Sequence, residues 1–401
     1  MELQDVFFSP ELAVTNKAGY RHIALLDRIR DLGIPLNGSL AFVNDWSYIT
    51  DNPDLDFEQL TSSGPYAGTL EAFTTGVRLQ TRYSHLLDSG ITTRFWASDS
   101  DRVIDTARYF AAGFFGLDWK TDGSTELQVI PETADRGADT LTPGDTCKNF
   151  KEYTSTEQRY LKKLAEVQNM YLPPVAERLA QQNPGIEFSI SEVYSMQEMC
   201  GFETTVRGSS PWCDVFTHED WQHFEYARDV SLYYRLGPGN PYGGVMGWLW
   251  LNATTSLLLE GPDSGKTFFS FVHDGDMAPM MTALNLLQDE NNDPHLPTTH
   301  IAKDRKWLTS QLMPMGGRII FERLTCPPTS SPSEQFIRIN VNDGIMPLGN
   351  CTSGPGQSCP LGQFAEFVRR RGVELGDFEE ACGIEKSVDG GRLTFLHQRN
   401  L

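Results

Sequence analysis

The sequence predicts an α/β fold interrupted by a largely helical insertion. Three observations carry that expectation. Two runs rich in β-formers, 92–97 and 266–272, each lead into polar residues and then into apolar positions at helical spacing, the strand–turn–helix order of α/β units. Between them, from about residue 105 to residue 262, the periodic segments read mostly as helix. Toward the carboxyl end, 317–326 and 334–341 read as paired strands joined by a Pro/Ser-rich loop. The expected division is an α/β core formed by 1–104 and 263–401 around a mostly helical region, 105–262.

The elements follow in order. Tyr20, Ile23, Ala24, Leu26 and Ile29 share one helical face, which makes His22 an ordinary helix residue. Residues 40–48 read as a short strand or extended stretch. From Tyr66 to Leu87, apolar residues recur at three- and four-residue steps and predict a helix. After the strand at 92–97, Ser98, Asp99, Ser100 and Asp101 are N-cap candidates for a helix from Val103 to Phe114, which Gly116 would end. Helices are expected over 156–179, over 219–236 until Gly-Pro-Gly-Asn-Pro stops it, and over 246–259. Lys266 to Val272 reads as a buried strand running into His273-Asp274-Gly275-Asp276, with a helix from Met277 to Leu287.

The 401 residues suffice for one large domain or two smaller ones, and 39% hydrophobic residues fit a globular chain. Lys and Arg number 33 against 53 Asp and Glu, a net charge of −20. Such a surface repels nucleic acid and anionic membranes, so neither is expected as a partner. It also repels phosphate esters, so a phosphate site needs a local cluster of cations, and acidic pH reduces the repulsion. No apolar run approaches the roughly 20 residues of a membrane span.

The opening Met-Glu-Leu-Gln-Asp-Val-Phe-Phe shows no basic stretch followed by an apolar one, so no signal peptide is expected; taken alone this points to the cytosol. Sequons at Asn37, Asn252 and Asn350 point the other way, to an extracellular route. Cys351 and Cys359 flank a flexible loop that a disulfide would close, and Cys200 and Cys213 flank a polar one. Neither pair has zinc-site spacing with a second pair nearby; buried free thiols are the alternative. Seven cysteines leave at least one without an intrachain partner.

Two segments carry candidate chemistry. Phe271-Val-His273-Asp274-Gly-Asp276 places a histidine and a carboxylic acid where a strand meets a helix, at the sheet's carboxyl end, where ligands gather in open α/β folds. A helix N-terminus favours an anion there, and a carboxylic acid can protonate a leaving group. A helix-capping Asp beside a structural His is the competing interpretation. Ser98-Asp-Ser-Asp-Arg102-Val-Ile-Asp-Thr-Ala puts an arginine in a first helical turn, unfavourable for the helix dipole unless its fork serves a bound phosphate. A salt bridge to Asp99 or Asp105 is the alternative. Two further patterns fail on spacing. Gly261-Pro-Asp-Ser-Gly-Lys266-Thr has one residue too few between its glycines for a P-loop and precedes a strand instead of following one. His218-Glu-Asp-Trp-Gln-His223 spaces its histidines five apart, so they do not share the helical face that a zinc site needs; His218 is left as a possible pocket residue.

Together these segments resemble the histidine acid phosphatase family, in particular fungal acid phosphatases and phytases. Leu40-Ala-Phe-Val-Asn-Asp-Trp46, Ser62-Ser-Gly-Pro-Tyr-Ala-Gly68, Arg102-Val-Ile-Asp-Thr-Ala-Arg108, Pro314-Met-Gly-Gly-Arg318, Glu322-Arg-Leu-Thr-Cys326 and Cys351-Thr-Ser-Gly-Pro-Gly-Gln-Ser-Cys359 extend the likeness from about Gly19 to Cys382. The resemblance implies a phosphoglycerate-mutase-like α/β domain with a helical insertion. It implies a secreted enzyme that hydrolyses phosphate monoesters such as phytate, with no metal or organic cofactor. Arg102 and His273 match the family's phosphate-binding residues, and Asp274 matches its proton donor.

The family attacks phosphorus with a histidine in an Arg-His-Gly-x-Arg-x-Pro motif, and that motif is absent here. The matching position holds Phe7-Phe-Ser-Pro-Glu-Leu-Ala-Val14, and the nearby Arg21-His22 is followed by Ile23. The resemblance also implies disulfides Cys147–Cys382, Cys200–Cys213 and Cys351–Cys359. It leaves Cys326 unpaired, because its family partner precedes Cys147 and no cysteine does so here. One expectation accounts for the missing signal peptide, the missing motif and the unpaired Cys326: the chain starts downstream of a lost first strand and is impaired in turnover. A phosphate-ester binding protein without catalysis is the rival.

Overall fold

Strand β1 (Thr93–Ser98) is the middle of a parallel sheet ordered β2–β1–β3, in which β2 spans Thr125–Ile130 and β3 only Ser270–Phe271. Thr93 pairs with Thr125 and Ser98 with Ile130, while Trp96 and Ala97 face Ser270 and Phe271. Phe95, Trp96 and Ala97 are fully buried, as a parallel strand covered on both faces requires. A second sheet is antiparallel. In it β4 (Ile319–Cys326) pairs along its length with β5 (Glu334–Val341), and β6 (Gly344–Ile345) and β7 (Cys359–Pro360) also pair with β5. These are features of a computed structural model, which describes residues 18–50, 68–88, 90–287, 295–326, 334–386 and 391–398. Phe7–Val14 and the Ser62–Ala67 part of the family-like stretch lie outside the described residues.

The helices are α1 (Ala18–Leu32), α2 (Gly68–Tyr83), α3 (Asp101–Phe114), α4 (Lys148–Thr156), α5 (Arg159–Gln182), α6 (Ile190–Arg207), α7 (His218–Arg235), α8 (Gly243–Glu260), α9 (Asp274–Leu284) and α10 (Leu361–Leu375). Helices α2 and α3 approach closely because glycines face glycine-height gaps. A Cβ on Gly76 would stand 2.3 Å from the Phe110 carbonyl oxygen, and one on Gly113 would stand 2.1 Å from that of Phe73. Three disulfides close, Cys147–Cys382, Cys200–Cys213 and Cys351–Cys359, and the first joins positions 235 apart. Cys326 is the free cysteine among the described residues.

Three expectations need correction. Residues 40–48 do not form a strand: Gly38–Asn44 is a 3-10 turn, which the Asn44 side chain closes through hydrogen bonds to both backbone groups of Leu36 at 2.9 Å. The stretch expected as helix from 156 breaks at Gln158, whose φ of 48° separates α4 from α5. Strand β2 is a single strand within the region expected to be mostly helical, which α4 to α8 otherwise occupy, and its pairing with β1 decides its conformation. Of the strand expected over 266–272, only two residues join a ladder, and the stretch 267–273 is half-buried rather than buried.

Candidate functional site

Each strand of the parallel sheet delivers one side chain to the same point. Beyond β1, the Ser100 carbonyl accepts the Val103 and Ile104 N–H groups at 2.9 Å, starting α3 and placing Arg102 in its first turn. The Ser100 hydroxyl makes no capping bond. Beyond β3, His273 immediately precedes α9. Because β1 and β3 are parallel neighbours, their carboxyl ends coincide, and Arg102 Nη2 lies 3.5 Å from His273 Nδ1. Beyond β2 comes Glu132, whose Oε1 lies 3.0 Å from His273 Nε2. The N-termini of α3 and α9 add partial positive charge at this place.

Glu132 escaped the sequence analysis. Its one signal, a carboxylate just past a strand, was hidden because β2 had not been recognised. Burial pushes its carboxyl up, but the hydrogen bond with His273, the charge on that ring and the Arg102 guanidinium outweigh burial and hold it below the usual carboxylate range. The His273 backbone N–H donates to Asp276 Oδ2 at 3.2 Å, and burial pushes the Asp276 carboxyl well above the ordinary range. Asp274 is buried, with Oδ1 accepting the Gly275 N–H at 2.9 Å. A cavity of about 920 Å3 opens beside this cluster, and Arg102, His273 and Asp276 line it while Asp274 does not.

The remaining sequence candidates stand apart. His22 is buried on α1, with Nε2 3.7 Å from Glu198 and its ring against Phe202, and does not line the cavity. Burial lowers its pKa despite the Glu198 carboxylate. His218 is exposed at the start of α7 and also does not line the cavity. His223 Nδ1 lies 2.9 Å from the Glu219 carbonyl oxygen, and its ring stacks on Tyr171. Gly261–Asp263 is a 3-10 turn. Among the described residues, no group of three or more His, Cys, Asp or Glu side chains is arranged to hold a metal ion.

Residues 15–342 match the model of the histidine phosphatase superfamily, branch 2. The chain belongs to that superfamily. This branch-2 histidine phosphatase is 34% identical over 376 residues to a phytase of Candida albicans, covering 93% of this chain and 78% of the other. It is 33% identical over 372 residues to an acid phosphatase of Komagataella pastoris, covering 91% and 76%. Its fold superimposes on the crystal structure of the D. castellii phytase with a TM-score of 0.85 at 30% identity, covering 94% of this chain and 80% of that one. The α/β histidine phosphatase fold expected from sequence is therefore the observed one. By family, the chain is an enzyme of the acid phosphatase and phytase class.

Proposed function

We propose that this chain binds phosphate monoesters between Arg102 and His273 as an acid phosphomonoesterase site whose turnover is impaired. The observation that carries the reading is the convergence of Arg102 and His273, 3.5 Å apart, at the carboxyl ends of adjacent parallel strands. The Arg102 fork and the His273 ring hold the phosphoryl oxygens and stabilise the charge that develops on them. In the family's reaction a carboxylic acid protonates the leaving alcohol and then takes the proton of the water that hydrolyses a phosphohistidine, and Asp274 matches that donor. Among the described histidines only His85 and His273 line the cavity, and His85 is exposed. The attacking imidazole is therefore the missing part. By analogy with a serine protease, losing the nucleophile lowers turnover by roughly 10⁶.

The names of the relatives support phytate and general phosphomonoesters as substrates, and three disulfides support an oxidising, extracellular compartment. A second reading concerns the proton donor alone. Asp276 lines the cavity while Asp274 does not, and burial raises the Asp276 carboxyl well above the ordinary range, which favours it as the donor.

The test is binding of inorganic phosphate at pH 5 together with phosphate release from phytate and an aryl phosphate. Phosphate should bind, and Arg102→Ala should weaken binding roughly 10- to 100-fold. Release should be close to background. Rapid release abolished by Asp274→Asn would refute the impairment, and release abolished by Asp276→Asn alone would assign the donor to Asp276. Phosphate binding unchanged in Arg102→Ala would refute the site.

A further inference from the structure

The two nitrogens of the His273 ring face groups of opposite chemistry. Nε2 lies 3.0 Å from Glu132 Oε1, and Nδ1 lies 3.5 Å from Arg102 Nη2. An ionised carboxylate only accepts hydrogen bonds, and a guanidinium only donates them. The Glu132 carboxyl is held below the usual range, so it is the acceptor and Nε2 carries the proton. In the neutral ring Nδ1 then presents a lone pair. The Glu132 backbone is pinned on both sides. The Asp99 N–H donates to the Ile130 carbonyl at 3.0 Å, tying the end of β2 to that of β1, and the Arg136 N–H donates to the Thr133 carbonyl at 3.1 Å. Pro131 stiffens the link between strand and carboxylate. Only 12% of the His273 side chain and 24% of the Glu132 side chain are exposed, so water competes weakly for their bond.

We propose that Glu132 is a positioning residue, which keeps the proton of neutral His273 on Nε2 and reserves Nδ1 for an oxygen of a bound phosphate. A carboxylate on the outer nitrogen of a ligand-contacting histidine fixes its tautomer and orientation in metal sites, and the same physics serves an anion. The lone pair on Nδ1 repels an unprotonated phosphate oxygen. It accepts the O–H of a monoprotonated phosphate instead, or takes a proton from solvent and then donates it to the oxygen. Either way one proton lies between Nδ1 and that oxygen. The site thus selects the monoprotonated ester, and the dianion binds only with uptake of a proton. Among the other charged groups here, Arg102 on α3 opposes a charge on Nδ1, while Asp276 on α9 accepts the His273 backbone N–H and is pushed toward its neutral form by burial. Asp274 follows His273 in the chain, and Asp145 stands close enough to Asp276 to raise its carboxyl further. The role given to Nδ1 rests on the phosphate-site reading; the tautomer does not.

The test uses the whole protein with 15N-labelled histidine and inorganic phosphate, the His273 signals being those lost in His273→Asn. At pH 8 without phosphate, the ring nitrogen shifts should place the proton on Nε2, and Glu132→Ala should give a mixture of tautomers. Calorimetry at pH 8 in two buffers of different ionisation heat should show uptake of about one proton per phosphate bound. Glu132→Ala should take up clearly less, because its ring is free to present Nδ1–H. At pH 5 that variant should bind phosphate roughly 10- to 100-fold more weakly. A proton on Nδ1 of the unaltered protein overturns the proposal without recourse to any variant, and so does a tautomer indifferent to Glu132→Ala. Tighter phosphate binding by Glu132→Ala also overturns it, because the carboxylate then occupies the anion's own place. Phosphate bound at pH 8 without proton uptake overturns the reservation of Nδ1. A Glu132-dependent tautomer in a protein that binds no phosphate at pH 5 strikes the phosphate-site reading and leaves the positioning of His273 standing.

Discussion

Glu322 offers the sharpest test of how the antiparallel sheet is held to the helix above it. Its Oε2 accepts from Arg338 Nε at 2.6 Å and Asn340 Nδ2 at 2.7 Å; its Oε1 accepts from Arg82 Nη2 at 2.8 Å and the Tyr83 hydroxyl at 2.6 Å. Residues from α2, β4 and β5 thus meet on one carboxylate. Burial pushes that carboxyl up, but these hydrogen bonds, Arg338 foremost, outweigh it and bring it from 4.5 down to about 2. A shift of this size corresponds to at most about 3.4 kcal/mol, at 1.36 kcal/mol per unit. Arg82 is 42% exposed and its attraction is screened, which reduces the expected figure to about 2 kcal/mol. The sign follows from the depressed pKa. The stabilisation is complete above the unfolded value near 4.5 and is lost as pH falls through about 2. Glu322→Gln should therefore destabilise by about 2 kcal/mol at pH 6, with the deficit shrinking below pH 4.5 and vanishing near pH 2. Urea unfolding of both proteins at half-unit pH steps measures this, and other carboxylates cancel in the difference. An equal deficit at pH 3 and pH 6 would refute the electrostatic argument and assign the effect to packing.

Other perturbations have equally direct readouts. Glu132→Gln removes the anion that favours a protonated His273, so the pH at which phosphate binding is half lost should move down, as a binding profile from pH 4 to 8 would show. Replacing Cys147 and Cys382 by serine opens a loop of 235 positions and should cost about 5 kcal/mol in the chain-entropy treatment, against about 2.5 kcal/mol for Cys351 and Cys359, separated by 8. Equal losses in denaturant midpoints would contradict that ordering. Gly113→Ala drives a methyl into the Phe73 carbonyl oxygen and should lower stability by about 2 kcal/mol or more, whereas Gly362→Ala, with nothing within 4 Å, should not.

Much of this protein was legible from local pattern. The strand at 93–98, the helix after it and the β4–β5 pair all follow from residue pattern confined to a dozen residues. Arg102 and His273 stood out for the same reason, since each sits where a strand turns into a helix. What stayed hidden depends on partners far away in sequence. Glu132 acquires meaning only from His273, 141 positions later, and β2 is a strand because β1 lies beside it. The extended reading of 40–48 failed because Asn44 folds back on Leu36, a side-chain hydrogen bond that outcompetes the apolar pattern. The cavity beside Arg102 and His273 lies furthest from sequence reading. Composition and periodicity report which residues seek burial, but a cavity lined by Arg102, His273 and a strand of each sheet depends on how those elements are placed relative to one another, and only the tertiary structure decides that.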